Sequence, residues 1–98
     1  MKLFISQPMH DKTDEEILKE RKVLIADVYM KTHEEIEVID SFFERALADA
    51  TPLWYLGESL KLLGTADFVV FAPGWQDYRG CCIEHDAAVA YGIPIVEV

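Results

Sequence analysis

The chain is a series of blocks in which the spacing of apolar residues changes period. Residues 2–6, KLFIS, form a short apolar run that predicts a buried strand, and the QPMHDK after it is turn-like. From Thr13 the period becomes helical. Thr13 and Glu16 make a T-x-x-E capping box, and Asp14 and Glu15 suit the positive end of a helix. That helix is expected to run to about Met30, with Ile17, Leu18, Val23, Leu24, Ile25, Val28 and Tyr29 as its buried side. Residues 35–40, EIEVID, alternate charged and apolar positions, as a strand with one exposed face does. Residues 41–50, SFFERALADA, fit a short helix or a covering loop. Leu53, Leu56, Leu60 and Leu63 then mark a second amphipathic helix over Pro52 to Gly64. The nearly continuous apolar run ADFVVFAP, residues 66–73, predicts a central strand covered on both faces. A helix from about Gly80 to Tyr91 should end at Gly92, and IPIVEV supplies a last strand.

This order of elements predicts a single α/β domain over residues 1–98, with a mostly parallel four-stranded sheet and helices on both faces, flavodoxin- or Rossmann-like. Alternation in the second strand and its absence in the first and third place the second at an edge and give the order 2-1-3-4. In such a sheet the ligand crevice lies at the carboxyl ends of strands one and three, where the direction of winding reverses. Two loops meet there: SQPMHDK after strand one and GWQDYRG after strand three.

Composition narrows the partners. An apolar content of 51% with eleven aromatic residues is that of a globular chain. Nine basic against eighteen acidic side chains leave a net charge of −9, which repels phosphodiester backbones and argues against a nucleic-acid polymer. One small anion is still compatible with that field, because a local cation or helix terminus offsets it. No apolar stretch approaches bilayer-spanning length, and Met1-Lys2 leads straight into a strand, so no membrane partner and a cytoplasmic location are expected. Cys81 and Cys82 are adjacent and offer no disulfide framework.

The residues able to do chemistry gather in PGWQDYRGCCIEHDAAVAYG, residues 73–92. Glu84 is expected in the first turn of the last helix, where the helix dipole favours its ionised form. An ionised carboxylate in a cleft is a competent nucleophile towards an anomeric carbon; equally, an acidic residue at a helix start is a favourable charge and nothing more. Arg79 and Gly80 with the free N–H groups of the helix start form a candidate anion cradle, or a solvated turn. Ser6, Gln7 and Pro8 are placed to meet a ligand hydroxyl or phosphate, or to make a turn. Trp75 and Tyr78 offer stacking faces, or core packing. Cys81, Cys82, Glu84 and His85 crowd one turn, but only the spacing C-x-x-E-H is available, so no metal and no other cofactor is expected.

FISQPM, LGESLKLLGTADFVVFAPGW and RGCCIEHDAAVAYGIPIVE together resemble the nucleoside 2-deoxyribosyltransferase-like superfamily, in its short branch of bacterial and phage proteins. The likeness covers nearly the whole chain except residues 30–51. It implies that Glu84 attacks the anomeric carbon of a deoxynucleoside or its 5′-monophosphate. The base then leaves, and the glycosyl-enzyme is resolved by another base or by water. It also implies that Ser6, Gln7, Pro8 and Met9 hold the nucleoside, that Gly74 and Gly80 belong to loops around it, and that Gly80 lies close to the sugar or phosphate. A neighbouring subunit would complete the site, so a homodimer or larger homo-oligomer is expected. Two positions depart from the pattern. Ser59 stands where transferases carry a base-orienting aspartate, and Tyr78 stands where they carry an acidic residue or serine. Asp77 is then the nearest carboxyl for protonating the departing base. The alternative function is a nucleotide-binding module without turnover.

Overall fold

The computed structural model describes residues 1–9, 12–41 and 51–98. Four strands, β1 (Lys2–Ser6), β2 (Glu37–Val38), β3 (Phe68–Phe71) and β4 (Ile95–Val96), form one sheet in the order β2-β1-β3-β4. All three pairings are parallel, with Leu3 opposite Val38, Ser6 opposite Phe71 and Val70 opposite Val96. The longest helices are α1 (Asp14–Thr32), α2 (Pro52–Leu63) and α3 (Arg79–Ala90), and a single 3-10 turn occupies Trp75–Asp77. The α/β class and the strand order follow the expectation from the apolar pattern.

The two faces of the sheet are covered separately. Leu3, Ile5, Phe68, Val70 and Ala72 pack with Leu24 and Val28 of α1, whereas Phe4, Val69 and Phe71 pack with Leu63 of α2 and Ala88 of α3. Strand side chains alternate between faces, so each strand contributes to both clusters, and β1 and β3 must be apolar throughout.

The caps explain where the helices begin and end. Thr13 and Glu16 form the reciprocal capping box, and α1 closes on His33 in the left-handed conformation. Thr51 caps α2 by accepting from the Trp54 N–H at 3.1 Å. At the end of α3, Gly92 takes φ +70°, and the N–H groups of Ile93 and Gly92 donate to Ala88 and Val89. This is a Schellman closure, and only glycine adopts that φ without strain.

Several expectations need correcting. Leu18, Val23 and Tyr29 are 43%, 55% and 52% exposed, because the buried stripe of α1 is Ile17, Arg21, Leu24 and Val28. These positions repeat at helical spacing, and the three apolar residues fall off them. Likewise Leu53, in the first turn of α2, is 74% exposed, while Leu63 is buried and Leu60 packs on the core. The second strand is two residues long because only Glu37 and Val38 enter the ladder with β1. Helix α3 starts at Arg79, which puts Glu84 in its second turn instead of its first. The alternatives for residues 42–50 lie outside the described residues. Among the described residues no helix is long and apolar enough to cross a membrane.

Candidate functional site

The carboxyl ends of β1 and β3 are neighbours at the switch point of the sheet, and the backbone holds them together: the Ala72 N–H donates to the Ser6 carbonyl at 2.9 Å. The strand pleat then sends Ser6 towards α3 and Gln7 towards α1. Each meets a charged partner. Ser6 Oγ donates to Glu84 Oε1 at 3.1 Å, and both side chains are buried.

A cleft of about 530 Å³ opens over this pair, within the range of small-molecule sites. Its walls come from four elements and the loops that enter them. The end of β1 and its loop supply Ser6, Gln7, Pro8, Met9 and Lys12, and the start of α1 supplies Asp14 and Ile17. Helix α2 contributes Pro52, Tyr55, Leu56 and Ser59, and the entry to α3 contributes Tyr78, Gly80, Cys81 and Glu84. Ser41, following β2, completes the wall.

Glu84 is the titratable centre of the cleft. Burial pushes its carboxyl up to about 7, with the Ser6 hydrogen bond acting in the opposite direction. The expected dipole effect is outweighed for two reasons: the side chain is 7% exposed, and a helix dipole fades within its first turn, which Glu84 has passed. Near neutral pH the group therefore populates both forms. Cys81 lies beside it, 4% exposed; burial raises its thiol, opposed by Ser6 and Lys12. It is a poor thiolate in that setting.

Gln7 plays a different part from Ser6. Its amide nitrogen donates to the Ile17 carbonyl at 3.2 Å and to Glu20 at 3.0 Å, and its amide oxygen accepts from Arg21 Nε. Arg21 itself is 7% exposed and also donates to Ser41 Oγ at 2.6 Å. Both amide hydrogens of Gln7 are thus engaged within the protein, and the residue fixes the loop after β1 to α1.

Of the residues singled out in the sequence, Ser6, Gln7, Pro8, Met9, Ser59, Tyr78, Gly80 and Glu84 line one cleft. Gly74 and Trp75 line another hollow, of about 260 Å³, together with His85 and the last residues of the chain. There the Trp75 ring stacks on His85 at 4.3 Å between centroids, so one of its faces is already taken. Asp77 and Arg79 are exposed and line neither space. The separation arises from the 3-10 turn at Trp75–Asp77, which carries the loop after β3 away from β1 before α3 returns to it.

Lys12, Asp14 and Tyr55 also line the cleft and were not singled out from the sequence as site residues, whereas Cys81, which lines it too, was weighed there among metal ligands. A signal existed for the first two: the loop after strand one and the first turn of its helix must face the switch point in a parallel sheet. No comparable signal marks Tyr55, whose position depends on how α2 lies across the sheet. Among the described residues no group of histidine, cysteine and acidic side chains is arranged to hold a metal. No family model matches the chain, and no curated protein or solved structure matches it either.

Proposed function

We propose that this protein binds a deoxynucleoside or its 5′-monophosphate in the cleft over Ser6 and Glu84 and exchanges or hydrolyses its N-glycosidic bond. The observation that carries the reading is Glu84 itself. It is a buried carboxylate on the wall of a ligand-sized cleft at the carboxyl ends of β1 and β3, steadied by Ser6 at 3.1 Å. A sequence resemblance to the nucleoside 2-deoxyribosyltransferase-like superfamily supplies the substrate class.

In the first step a Glu84 oxygen bonds to C1′ as the C1′–N bond breaks, and the bonding pair leaves with the base, which takes up a proton. In the second, a water oxygen or the nitrogen of another base attacks C1′. Glu84 departs as a carboxylate and the attacking group loses a proton. Ser6 orients the nucleophile and lowers its basicity, and Tyr78 and Tyr55 offer ring faces to a base. With Asp77 outside the cleft lining, Asp14 is the other carboxyl among the described lining residues. Leu53, beside the lining residue Pro52, is 74% exposed, and its coverage by a second copy of the chain belongs to this reading. Sedimentation equilibrium tests that part.

A second reading, ligand binding without turnover, is favoured by one observation. Asp77, the carboxyl expected from the sequence to protonate the base, stands on the surface. Incubation with each common deoxynucleoside and monophosphate decides between the two. Free base released by the wild type and not by Glu84→Gln supports catalysis. Binding of the same compounds with no base released supports the binding module.

A further inference from the structure

Lys12 is the one cation among the described residues that line the cleft. Its backbone N–H donates to the Met9 carbonyl at 3.3 Å, which ties the residue to the segment leaving β1. The ammonium lies 3.6 Å from Glu20 Oε1, an ion pair longer than a hydrogen bond. Glu20 already accepts from Gln7 at 3.0 Å, so it keeps a donor when Lys12 turns elsewhere. Its charge also favours the ionised form of the buried Cys81 thiol, against the larger effect of desolvation.

Among the described residues, the other charges around the space are arranged against an anion. Asp14 and Glu84 line the cleft, and Glu20 borders it through Lys12 and Gln7. Arg21 lies beneath Gln7, with its donors turned to Gln7 and Ser41. Among the described lining residues, a phosphate entering the cleft without Lys12 would meet only acidic side-chain charges, in a protein of net charge −9. A neutral nucleoside would meet no such penalty.

We propose that Lys12 is the specificity-determining residue that selects a nucleoside 5′-monophosphate over the nucleoside, by pairing its ammonium with the phosphate above the Ser6–Glu84 pair. The inference rests on the nucleotide reading of the cleft and adds to it the form of the ligand and the group that recognises it. Arg79, the cation nearest Glu84 in sequence apart from the cleft wall, lies exposed outside the lining and has no such part. A monophosphate carries nearly two negative charges at neutral pH, so the pairing is strong at low salt and weakens as salt is added.

The test is equilibrium binding by calorimetry, at low and at high salt, of deoxynucleosides and their 5′-monophosphates. The proteins are the wild type, Lys12→Met, Lys12→Arg and Arg79→Ala, each checked for an unchanged circular dichroism spectrum. The wild type is expected to bind the matching monophosphate roughly tenfold or more tighter than its nucleoside. Lys12→Met should lose that preference while nucleoside affinity stays the same, and Lys12→Arg and Arg79→Ala should retain it. If Lys12→Met misfolds, the salt dependence in Lys12→Gln and Lys12→Arg gives the same answer, since only the arginine keeps the charge. A preference that persists in Lys12→Met or Lys12→Gln, or that Arg79→Ala removes, overturns the assignment. So does equal affinity of the wild type for both ligand forms, although that result leaves the nucleoside reading standing. Failure of every nucleoside and monophosphate to bind overturns both.

Discussion

Ser6 and Gln7 are consecutive in the chain and both are buried, yet they serve opposite ends. Ser6 faces α3 and makes its bond to Glu84 on the wall of an open cleft. Gln7 faces α1, where Arg21, Glu20 and the Ile17 carbonyl saturate its amide. The first pair keeps a charged group at a cost, since burial raises the Glu84 carboxyl to about 7. The second satisfies a buried guanidinium with two acceptors and so resembles a structural clasp. The alternation of side chains assigns the two roles: one step past the end of β1 separates a site that holds an unfavourable charge from a network that stabilises the loop.

The largest test of this division is Glu84→Gln. It keeps the shape and the Ser6 contact but removes the nucleophile, and turnover should fall roughly a thousandfold or more while the far-ultraviolet spectrum stays unchanged. On the other side, Arg21→Ala leaves Gln7 Oε1 and Ser41 Oγ buried without their donor. Unfolding in urea should show a loss of about 2–4 kcal/mol. If Glu84→Gln instead destabilised the protein as much as Arg21→Ala, the two networks would both be structural and the distinction would fail.

A third prediction uses pH, with a definite sign. Glu84 is protonated in both states below its ordinary value of 4.5, and there its burial carries no penalty of charge. Between 4.5 and about 7 the folded state holds the proton that the unfolded state has released, so stability declines as pH rises through this window. The loss levels off above it at about 3 kcal/mol. Thermal unfolding at pH 5 and pH 8 should show this decline in the wild type and much less of it in Glu84→Gln, which is then the more stable protein at pH 8. For a nucleophile the rate moves the other way, rising with pH as Glu84 ionises.

Ser6→Ala sharpens the same point more modestly. Ser6 holds the Glu84 carboxyl lower than burial alone would, so its removal should move the rising limb of the rate profile to higher pH by less than about one unit. Smallest of all is Asp77→Asn. Its carboxyl is exposed and outside the cleft lining, and turnover should stay within about twofold, the size of a surface substitution.

Local pattern was enough for much of the architecture. The apolar runs KLFIS and ADFVVFAP could be satisfied only by strands buried on both faces, and the T-x-x-E box at Thr13 marked the start of α1, because both signals act over a few neighbouring residues. The alternation of strands with helices then left a parallel sheet with its switch point between β1 and β3, and so the loop that begins at Ser6 and the helix that carries Glu84 were legible as bordering one crevice, although their hydrogen bond was not. What only the tertiary structure decided was the outcome of competition between long-range terms. Desolvation at Glu84 outweighs the helix dipole, the turn at Trp75–Asp77 carries Gly74, Trp75 and Asp77 away from the cleft, and the charged Arg21 takes a place in the buried stripe of α1. None of these is encoded in spacing, because each depends on which groups the finished fold removes from water and which it leaves exposed.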